Sequence, residues 1–258
     1  MKQNAPCQLG GLNVLVTRPA EQAADFAEKI SEAHGRPVSF PALEILGPED
    51  KHAVRARLAD LGAVDTLIFV SANAVRYAFP LMPDNIPLDQ QIAAVGSATA
   101  RILEEYGLDP TLVPERMDSE GLLALPQLQS VQGRRILIVR GNGGRETLRE
   151  TLESRGARVD YVEVYRRQLP KRNPSNLIRN WDQLVDVVTV TSVQILENLF
   201  ALLGEQGEQV LQTTPLLTGS ERIAEQAQAR GCRKVLVAAS ALDGDMLKAL
   251  CEFADSPA

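Results

Sequence analysis

The chain has 258 residues, of which 45% are hydrophobic and 23% charged, and its formal net charge is −6. This length suits one large or two small domains, and the composition is that of an ordinary globular protein. The longest apolar runs are far too short to cross a bilayer about 30 Å thick, so we expect no membrane span. The acidic balance, without a basic stripe carrying aromatic residues, argues against nucleic-acid binding.

The N-terminal segment and the few cysteines and histidines indicate the compartment and the chemistry. The segment MKQNAPCQLGG lacks the apolar core of a signal peptide, so we expect a cytoplasmic protein. Cys7, Cys232 and Cys251 lie far apart in the sequence, which predicts reduced thiols and no disulfide framework. His34 and His52 have no partner at metal-ligand spacing, so we expect no metal site.

The first predicted elements are a tail, a strand, a helix and a connection. Residues 1–10 are predicted to form a loose tail, and an apolar strand begins at Val14. A helix is predicted over 20–33, and His34 precedes a glycine where this helix should end, which favours a capping role. A connection rich in proline and charge follows at 40–50. The helix has one apolar stripe at helical spacing, formed by Ala23, Phe26, Ala27, Ile30 and Ala33.

Further along the chain, short apolar runs continue to alternate with helical stretches. The runs TLIFV (66–70) and VLVAA (235–239) show no polar alternation, as expected of parallel strands covered on both faces. A second connection of proline and charge lies at 164–174, an amphipathic helix is predicted over 192–203, and 254–258 is predicted to be a tail. The alternation predicts an α/β protein with two doubly wound layers.

The sequence also repeats itself internally. VLVTRPAEQAADFAEKI (14–30) aligns with ILIVRGNGGRETLRETL (136–152), which places Arg18 over Arg140. Further matches pair DTLIFVSANAV with DVVTVTSVQIL, AVGSATARI with LTGSERIAE, and SEGLLALPQL with LDGDMLKAL. Because four segments recur in the same order at nearly the same spacing, we infer that the α/β unit is duplicated.

Small polar residues follow almost every predicted strand, at the carboxyl end where open α/β sheets bind their ligands. There they let backbone N–H groups face outward and bind anionic groups. Taken singly, each position is better explained by helix capping or a tight turn, but two facing sets would form a cleft rich in amides and hydroxyls. The candidate positions are Arg18-Pro19, Ser71-Ala72-Asn73, Gly96-Ser97-Ala98-Thr99, Arg140-Gly141-Asn142-Gly143-Gly144, Thr191-Ser192 and Gly219-Ser220.

The loop GNGG (141–144) invites comparison with a phosphate-binding loop. It lacks the Lys-Ser/Thr ending of a P-loop and the spacing of a dinucleotide fingerprint. Glu163 lies inside the next predicted strand and not beyond it, where a ribose-binding carboxylate would stand. The sequence therefore gives little support to a nucleotide site.

Together these features resemble the uroporphyrinogen-III synthase family over almost the whole chain. The segments that carry the resemblance are VLVTRP, IFVSANAV, AAVGSATARIL, SEGLL, ILIVRGNGGRETLRETLESRGA, VEVYRR and VTVTS. No single motif is decisive, but their order and spacing together are specific.

The resemblance implies two flavodoxin-like parallel-sheet domains joined by a two-stranded linker. One domain would combine 1–38 with 168–258, and 39–167 would form the inserted domain, with linker strands at about 39–45 and 162–167. Each domain would own five strands, at 12–17, 37–40, 186–191, 214–218 and 234–238 in one and at 65–70, 92–95, 110–113, 135–140 and 159–164 in the other.

The family's reaction is implied as well. Its enzymes, which are lyases of tetrapyrrole biosynthesis, close the linear tetrapyrrole hydroxymethylbilane to uroporphyrinogen III. Water is lost, and ring D is inverted by way of a spiro intermediate. The resemblance implies no cofactor and no metal. It also favours a monomer, open to transient contact with the preceding bilane-forming enzyme. Because the substrate carries eight carboxylates, GNGG would offer its backbone N–H groups to carboxylates.

Individual site residues can be carried over from the family. Tyr165, in VEVYRR, matches its candidate catalytic tyrosine and would be a modest general acid, although packing is the usual role of such a residue. Thr99 matches a substrate-contacting threonine. At the corresponding place in the other domain, Glu221 and Arg222 replace the family's threonines, and Arg222 either binds a carboxylate or is a solvated helix residue.

Four residues at strand ends keep two interpretations each. Ser71 and Ser192 match family serines, with helix capping as the alternative. Arg18 and Arg140 suit either attraction of an anion or a structural ion pair. Two other functions also stay open from the sequence: a two-domain protein that binds a small molecule without catalysis, and a nucleotide-sugar enzyme in which GNGG contacts phosphate.

Overall fold

The computed structural model describes residues 7–83 and 90–255, and the contacts divide the chain into two units. Unit 1 combines the chain up to Glu44 with the chain from Gln168 onward, and unit 2 is Ile45–Arg167. Within the described ranges, no helix has both the length and the apolar character needed to cross a membrane.

Unit 1 is built on a five-stranded sheet whose strands, numbered in chain order over both units, are β1 (Asn13–Val16), β2 (Arg36–Ser39), β8 (Val187–Val190), β9 (Leu216–Thr218) and β10 (Val235–Val237). They lie in the order β10-β9-β8-β1-β2, and all neighbouring pairs are parallel. This is the flavodoxin-like strand order, with its topological switch point between β1 and β8.

The helices of unit 1 cover both faces of this sheet. Leu15 faces one apolar cluster with Phe200, whereas its neighbours Val14 and Val16 face another with Phe26, so the strands are buried on both sides. The helices are α1 (Ala20–Glu32), α8 (Ser175–Arg179), α9 (Trp181–Leu184), α10 (Val193–Thr213), α11 (Glu221–Ala229) and α12 (Asp243–Ala254).

The second sheet is formed by β3 (Glu44–Leu46), β4 (Thr66–Phe69), β5 (Gln91–Ala94), β6 (Arg135–Gly141) and β7 (Arg158–Gln168). Their order is β3-β7-β6-β4-β5, and β4 pairs in parallel with both β5 and β6. The chain leaves β4 toward β5 and returns on its other side at β6, so the switch point of this sheet lies between β4 and β6.

The helices of unit 2 likewise enclose their sheet. Leu67 and Phe69 of β4 face one apolar cluster, and Ile68 faces the other. The helices are α2 (Lys51–Ala59), α3 (Ala72–Ala78), α4 (Ser97–Glu105), α5 (Ser119–Ala124), α6 (Pro126–Gln129) and α7 (Thr147–Ser154). Continuous apolar strands between two helical layers confirm the predicted α/β class.

One predicted strand is wrong. Residues 110–113 contribute only an isolated parallel bridge between Leu112 and Ala93. Pro110 and Pro114 flank this segment and have no N–H to donate, so a longer ladder cannot form there. The edge strand on the opposite side of the sheet is β3, which the sequence presented as part of a connection.

The end of the first helix is confirmed. Helix α1 buries Ala23, Phe26 and Ile30 and stops at Glu32. His34 follows in the left-handed region with φ +59°, and its backbone N–H donates to the carbonyl oxygen of Ser31 at 2.9 Å. The position before the glycine therefore closes the helix through its backbone.

The prediction of reduced thiols is wrong for two of the three cysteines. Cys7 and Cys251 form a disulfide, with their Cα atoms 5.6 Å apart. Cys232 is free, and burial raises the pKa of its thiol to about 11. Leu9 is 2% exposed, and its N–H donates to Ala33 O at 2.7 Å, so the predicted loose tail is wrong over 7–10. The rest of that tail, 1–6, lies outside the described residues, as does 256–258.

This bridge gives a prediction on stability. Because it joins residues 244 apart, it restricts the unfolded chain, and Cys251→Ser should lower the free energy of unfolding by about 2–4 kcal/mol. Urea unfolding under oxidising conditions measures the change. With reductant, wild type and variant should unfold at the same midpoint, and Cys7→Ser should match Cys251→Ser. A difference that persists in reductant would contradict the assignment.

Candidate active site

The carboxyl edge of the sheet in unit 2 brings three predicted residues together. Ser71 follows β4, Asn142 follows β6, and Tyr165 lies near the end of β7. The register pairs Phe69, the last residue of β4, with Val139, and β6 continues at the same edge to Gly141. These residues therefore surround the switch point, where open parallel sheets bind ligands.

The Tyr165 ring lies against the backbone of Gly141. The register of β6 with β7 shifts after Arg140, and Gly141 pairs with Tyr165. A Cβ atom at position 141 would overlap Cε2 and Cζ of the ring. Tyr165 is only 2% exposed, so only a residue without a side chain permits this packing.

The hydroxyl of Tyr165 is held by neighbours on two elements. The Tyr165 oxygen is 3.2 Å from Ser71 Oγ, which also caps α3 by accepting the N–H of Ala74 at 3.1 Å. From the other side, Arg167 Nη2 donates to the Tyr165 oxygen at 3.1 Å. The structure thus shows the helix cap, and the same Ser71 oxygen also contacts the phenol.

Asn142 fixes the end of β7. Its backbone N–H donates to Tyr165 O at 2.9 Å, and its side-chain Oδ1 accepts the backbone N–H of Arg167 at 2.7 Å. The predicted ligand residue therefore also orders the strand that carries the phenol. Arg167 is not among the residues predicted from the sequence, although it lies in VEVYRR; a cation two residues from the tyrosine was the available signal.

A cavity of about 390 Å³ lies beside this phenol. Its wall includes Tyr165, Asn142, Arg167, Arg145 and Asp118. The N–H of Gly121, at 2.7 Å, lowers the pKa of the Asp118 carboxyl and keeps it charged. Apart from Asp118, the charged residues of this wall are arginines, which suits an anionic ligand.

Arg140 is buried, and its hydrogen bonds hold the conformation of the GNGG loop. It is 5% exposed, forms an ion pair with Glu146 at 3.1 Å, and donates to the carbonyl oxygens of Gly141 and Gly143. Its guanidinium lies 4.4 Å from the centroid of the Tyr161 ring. These contacts fit the structural ion pair, one of the two interpretations that the sequence allowed for this residue.

The other candidates of unit 2 occupy the same edge. Gly96 precedes α4, Ser97 donates to the sulfur of Met117 at 3.3 Å, and Thr99 is 4% exposed in the first turn. Gly143 and Gly144 are exposed and have φ +66° and +113°, values that explain the glycines without a ligand. Ala72 and Asn73, both half-buried, begin α3.

Unit 1 repeats this pattern at its own carboxyl edge. Arg18 is 9% exposed, forms an ion pair with Asp243 and donates to Ala241 O at 2.8 Å. Ser192, which follows Thr191, caps α10 by accepting the N–H of Ile195 at 3.2 Å.

The remaining candidates of unit 1 surround the start of α11. Gly219 packs so closely on Ala241 that a Cβ atom would overlap its backbone. Ser220 precedes α11 without a side-chain cap, and Arg222 is exposed on that helix. Exposure leaves the Arg222 guanidinium accessible to solvent and agrees with the solvated alternative.

Solved structures with a similar fold show the fold class of this chain. A mutant uroporphyrinogen III synthase from Thermus thermophilus aligns with a TM-score of 0.62 and 22% identity, covering 94% of this chain and 98% of that chain. A uroporphyrinogen-III synthetase from Helicobacter pylori aligns with a TM-score of 0.57 and 15% identity, covering 84% and 91%. This chain therefore has the same α/β fold, built on parallel sheets, as these two structures.

Sequence comparisons then give the family. The family model described as uroporphyrinogen-III synthase HemD matches residues 24–248. The uroporphyrinogen-III synthase of Salmonella typhimurium is 34% identical over 245 residues, 93% of this chain and 100% of the relative. That of Escherichia coli is 32% identical over 252 residues, with the same two coverages. This chain belongs to the uroporphyrinogen-III synthase family.

The packing at Gly141 gives a prediction on activity. Gly141→Ala should displace the Tyr165 ring, lower turnover more than tenfold and cost about 1–3 kcal/mol of stability through overpacking. Steady-state kinetics and urea unfolding measure the two effects. The control is Gly62→Ala, where a Cβ atom meets nothing within 4 Å. Full activity in Gly141→Ala would show that the ring position is unimportant.

The phenol of Tyr161 gives a prediction on pH. Burial, followed by the hydrogen bond to Glu146 at 2.9 Å, raises the pKa of Tyr161 to about 12 from an ordinary 10.0. The neutral phenol is favoured in the folded state, so its contribution to stability is complete below about pH 10 and is lost as the pH rises through 12.

Difference titrations of tyrosinate absorbance, wild type minus Tyr161→Phe, should therefore show a transition near pH 12. Glu146→Gln removes the negative charge that raises this pKa and leaves only a neutral amide oxygen as acceptor, so it should move the transition to lower pH. Glu150→Gln, on the same helix, is the control. A transition near pH 10 in the difference curve would contradict the environment described for Tyr161.

Proposed function

We propose that the reaction of this uroporphyrinogen-III synthase is assisted at the carboxyl edge of unit 2, with Tyr165 as the catalytic residue. The reaction closes hydroxymethylbilane, with loss of water and inversion of ring D, to uroporphyrinogen III. The observation that supports this assignment is the Tyr165 hydroxyl, held by Ser71 and Arg167 beside an arginine-lined cavity at the switch point.

The proposed role of Tyr165 is that of a general acid. Its phenol donates a proton to the hydroxymethyl group, whose C–O bond breaks so that the electron pair leaves with water. The cation that remains is attacked by the substituted carbon of ring D, giving the spiro intermediate. Because this departure is easy, the larger task of the protein is to hold ring D in the inverting geometry.

Binding of the substrate carboxylates is proposed for the groups around this phenol. Asn142 and Gly143, which line the cavity, keep this proposed role. Ser97 and Thr99, in the first turn of α4, stay predicted contacts for the substrate. Arg140 would act indirectly, since its donors are engaged by the GNGG loop and by Glu146. An amide-rich, cationic edge suits a polyacid because charge-assisted hydrogen bonds are the strong ones.

The same proposal includes a monomeric state, a cytoplasmic location and transient contact with the enzyme that forms the bilane. The candidates of unit 1, which are Arg18, Thr191, Ser192, Gly219, Ser220 and Arg222, stay predicted contacts for the substrate. Each belongs to the carboxyl edge of its own sheet or to the helix that follows it.

Freshly made hydroxymethylbilane tests the function and the role of Tyr165 in one assay. Wild type should give the type III isomer, identified after oxidation to the porphyrin. Tyr165→Phe should lower kcat about 10- to 100-fold and still yield type III, because positioning survives. Tyr106→Phe, an exposed tyrosine of the same unit, should change kcat less than about twofold.

One result would overturn the function, and another would overturn the larger weight given to positioning. If the wild type gave only the type I isomer, the proposed function would be contradicted. Complete loss of turnover in Tyr165→Phe with an intact fold would show that proton transfer outweighs positioning.

A further inference from the structure

Arg167 is placed to control the direction of the Tyr165 proton. Its Nη2 donates to the phenolic oxygen at 3.1 Å, and its guanidinium carbon is 5.6 Å from the ring centroid. A guanidinium has five N–H donors and no acceptor, so the phenol cannot donate to it. The Tyr165 proton must point elsewhere, toward Ser71 Oγ at 3.2 Å or toward a ligand.

Ser71 leaves this proton available to a ligand. Its oxygen already accepts the N–H of Ala74 at 3.1 Å, and its own hydroxyl hydrogen can turn toward the phenolic oxygen. With Arg167 and Ser71 both donating to Tyr165, the phenolic hydrogen has no protein acceptor within this triad. It is then directed at whatever occupies the cavity.

Resting on the proposed function, we propose that Arg167 is a positioning residue for catalysis, which orients the Tyr165 proton and stabilises the phenolate left when that proton is transferred. In this step the proton passes to the leaving hydroxyl and the C–O electron pair departs with water. The negative charge stays on the Tyr165 oxygen beside the guanidinium. The proton that the substrate releases on ring closure restores the phenol.

The exposed Arg167 side chain owes its placement to its backbone. Asn142 Oδ1 accepts the Arg167 N–H at 2.7 Å, and the Asn142 N–H donates to Tyr165 O at 2.9 Å. These bonds hold both residues at the end of β7. Asn142 thereby fixes the distance between the Tyr165 phenol and the Arg167 guanidinium. The neighbouring Arg166 instead donates to Gly47 O at 3.4 Å and to Glu49 at 3.2 Å.

The test is a double-mutant cycle of Arg167→Gln with Tyr165→Phe, assayed on hydroxymethylbilane. Arg167→Gln alone should lower kcat about tenfold and change KM less than about twofold, since it removes one donor to a developing oxyanion. In the Tyr165→Phe background the same change should alter kcat less than about twofold, because no phenolate forms. Arg167→Lys should recover part of kcat, and Arg166→Gln, which also removes one positive charge, should behave as wild type.

Multiplicative losses in the double variant, or a rise in KM as the main effect of Arg167→Gln, would overturn the inference and make Arg167 a substrate carboxylate ligand. An unchanged kcat in Arg167→Gln would also overturn it. The proposed function fails separately: it is lost if the wild type yields only type I product, and its assignment of Tyr165 is lost if Tyr165→Phe turns over like the wild type. In that last case the Tyr165 phenol takes no part in turnover. The inference about Arg167 then fails as well.

Discussion

The contact between the Tyr165 ring and the bare backbone of Gly141 is the constraint on which the carboxyl edge of unit 2 depends. It lies where the register of β7 shifts against β6, and the ring is buried while its hydroxyl reaches Ser71. A ring pressed on a glycine has few alternative positions, since close-packed interiors leave no room for a second rotamer. The phenol is thereby placed by packing, and Asn142 and Arg167 complete its surroundings.

Burial separates three arginines at the carboxyl edges of the sheets into two groups. Arg18 and Arg140 are buried, and each donates to a carboxylate and to a backbone carbonyl oxygen of a nearby loop. A buried guanidinium must be paired, because an unpaired charge away from water is very costly. Arg167 is exposed, so it can respond to a ligand and to the charge on Tyr165 without leaving a partner unpaired.

Much of the fold could be predicted from the sequence because the signals were local. Apolar runs without polar alternation identified parallel strands covered on both faces, and helical stripes such as that of α1 identified the covering layers. The internal duplication stays a prediction, and Arg18 and Arg140 at corresponding strand ends are consistent with it. Tyr165 stood out only through a family resemblance, since a tyrosine in a strand is more often a packing residue.

Composition, periodicity and the order of motifs determined the α/β class, the end of α1 and the family, because each depends on neighbours along the chain. Tertiary structure alone decided the rest. Cys7 and Cys251 meet only because α12 and α1 share one apolar cluster, and distance along the chain gives no sign of that. Likewise, whether an arginine is paired internally or left exposed depends on which loops surround it in space. Contacts between distant segments cannot be predicted from local sequence patterns. Hydrophobic periodicity shows which face of a helix or strand is buried, but not which element packs against that face.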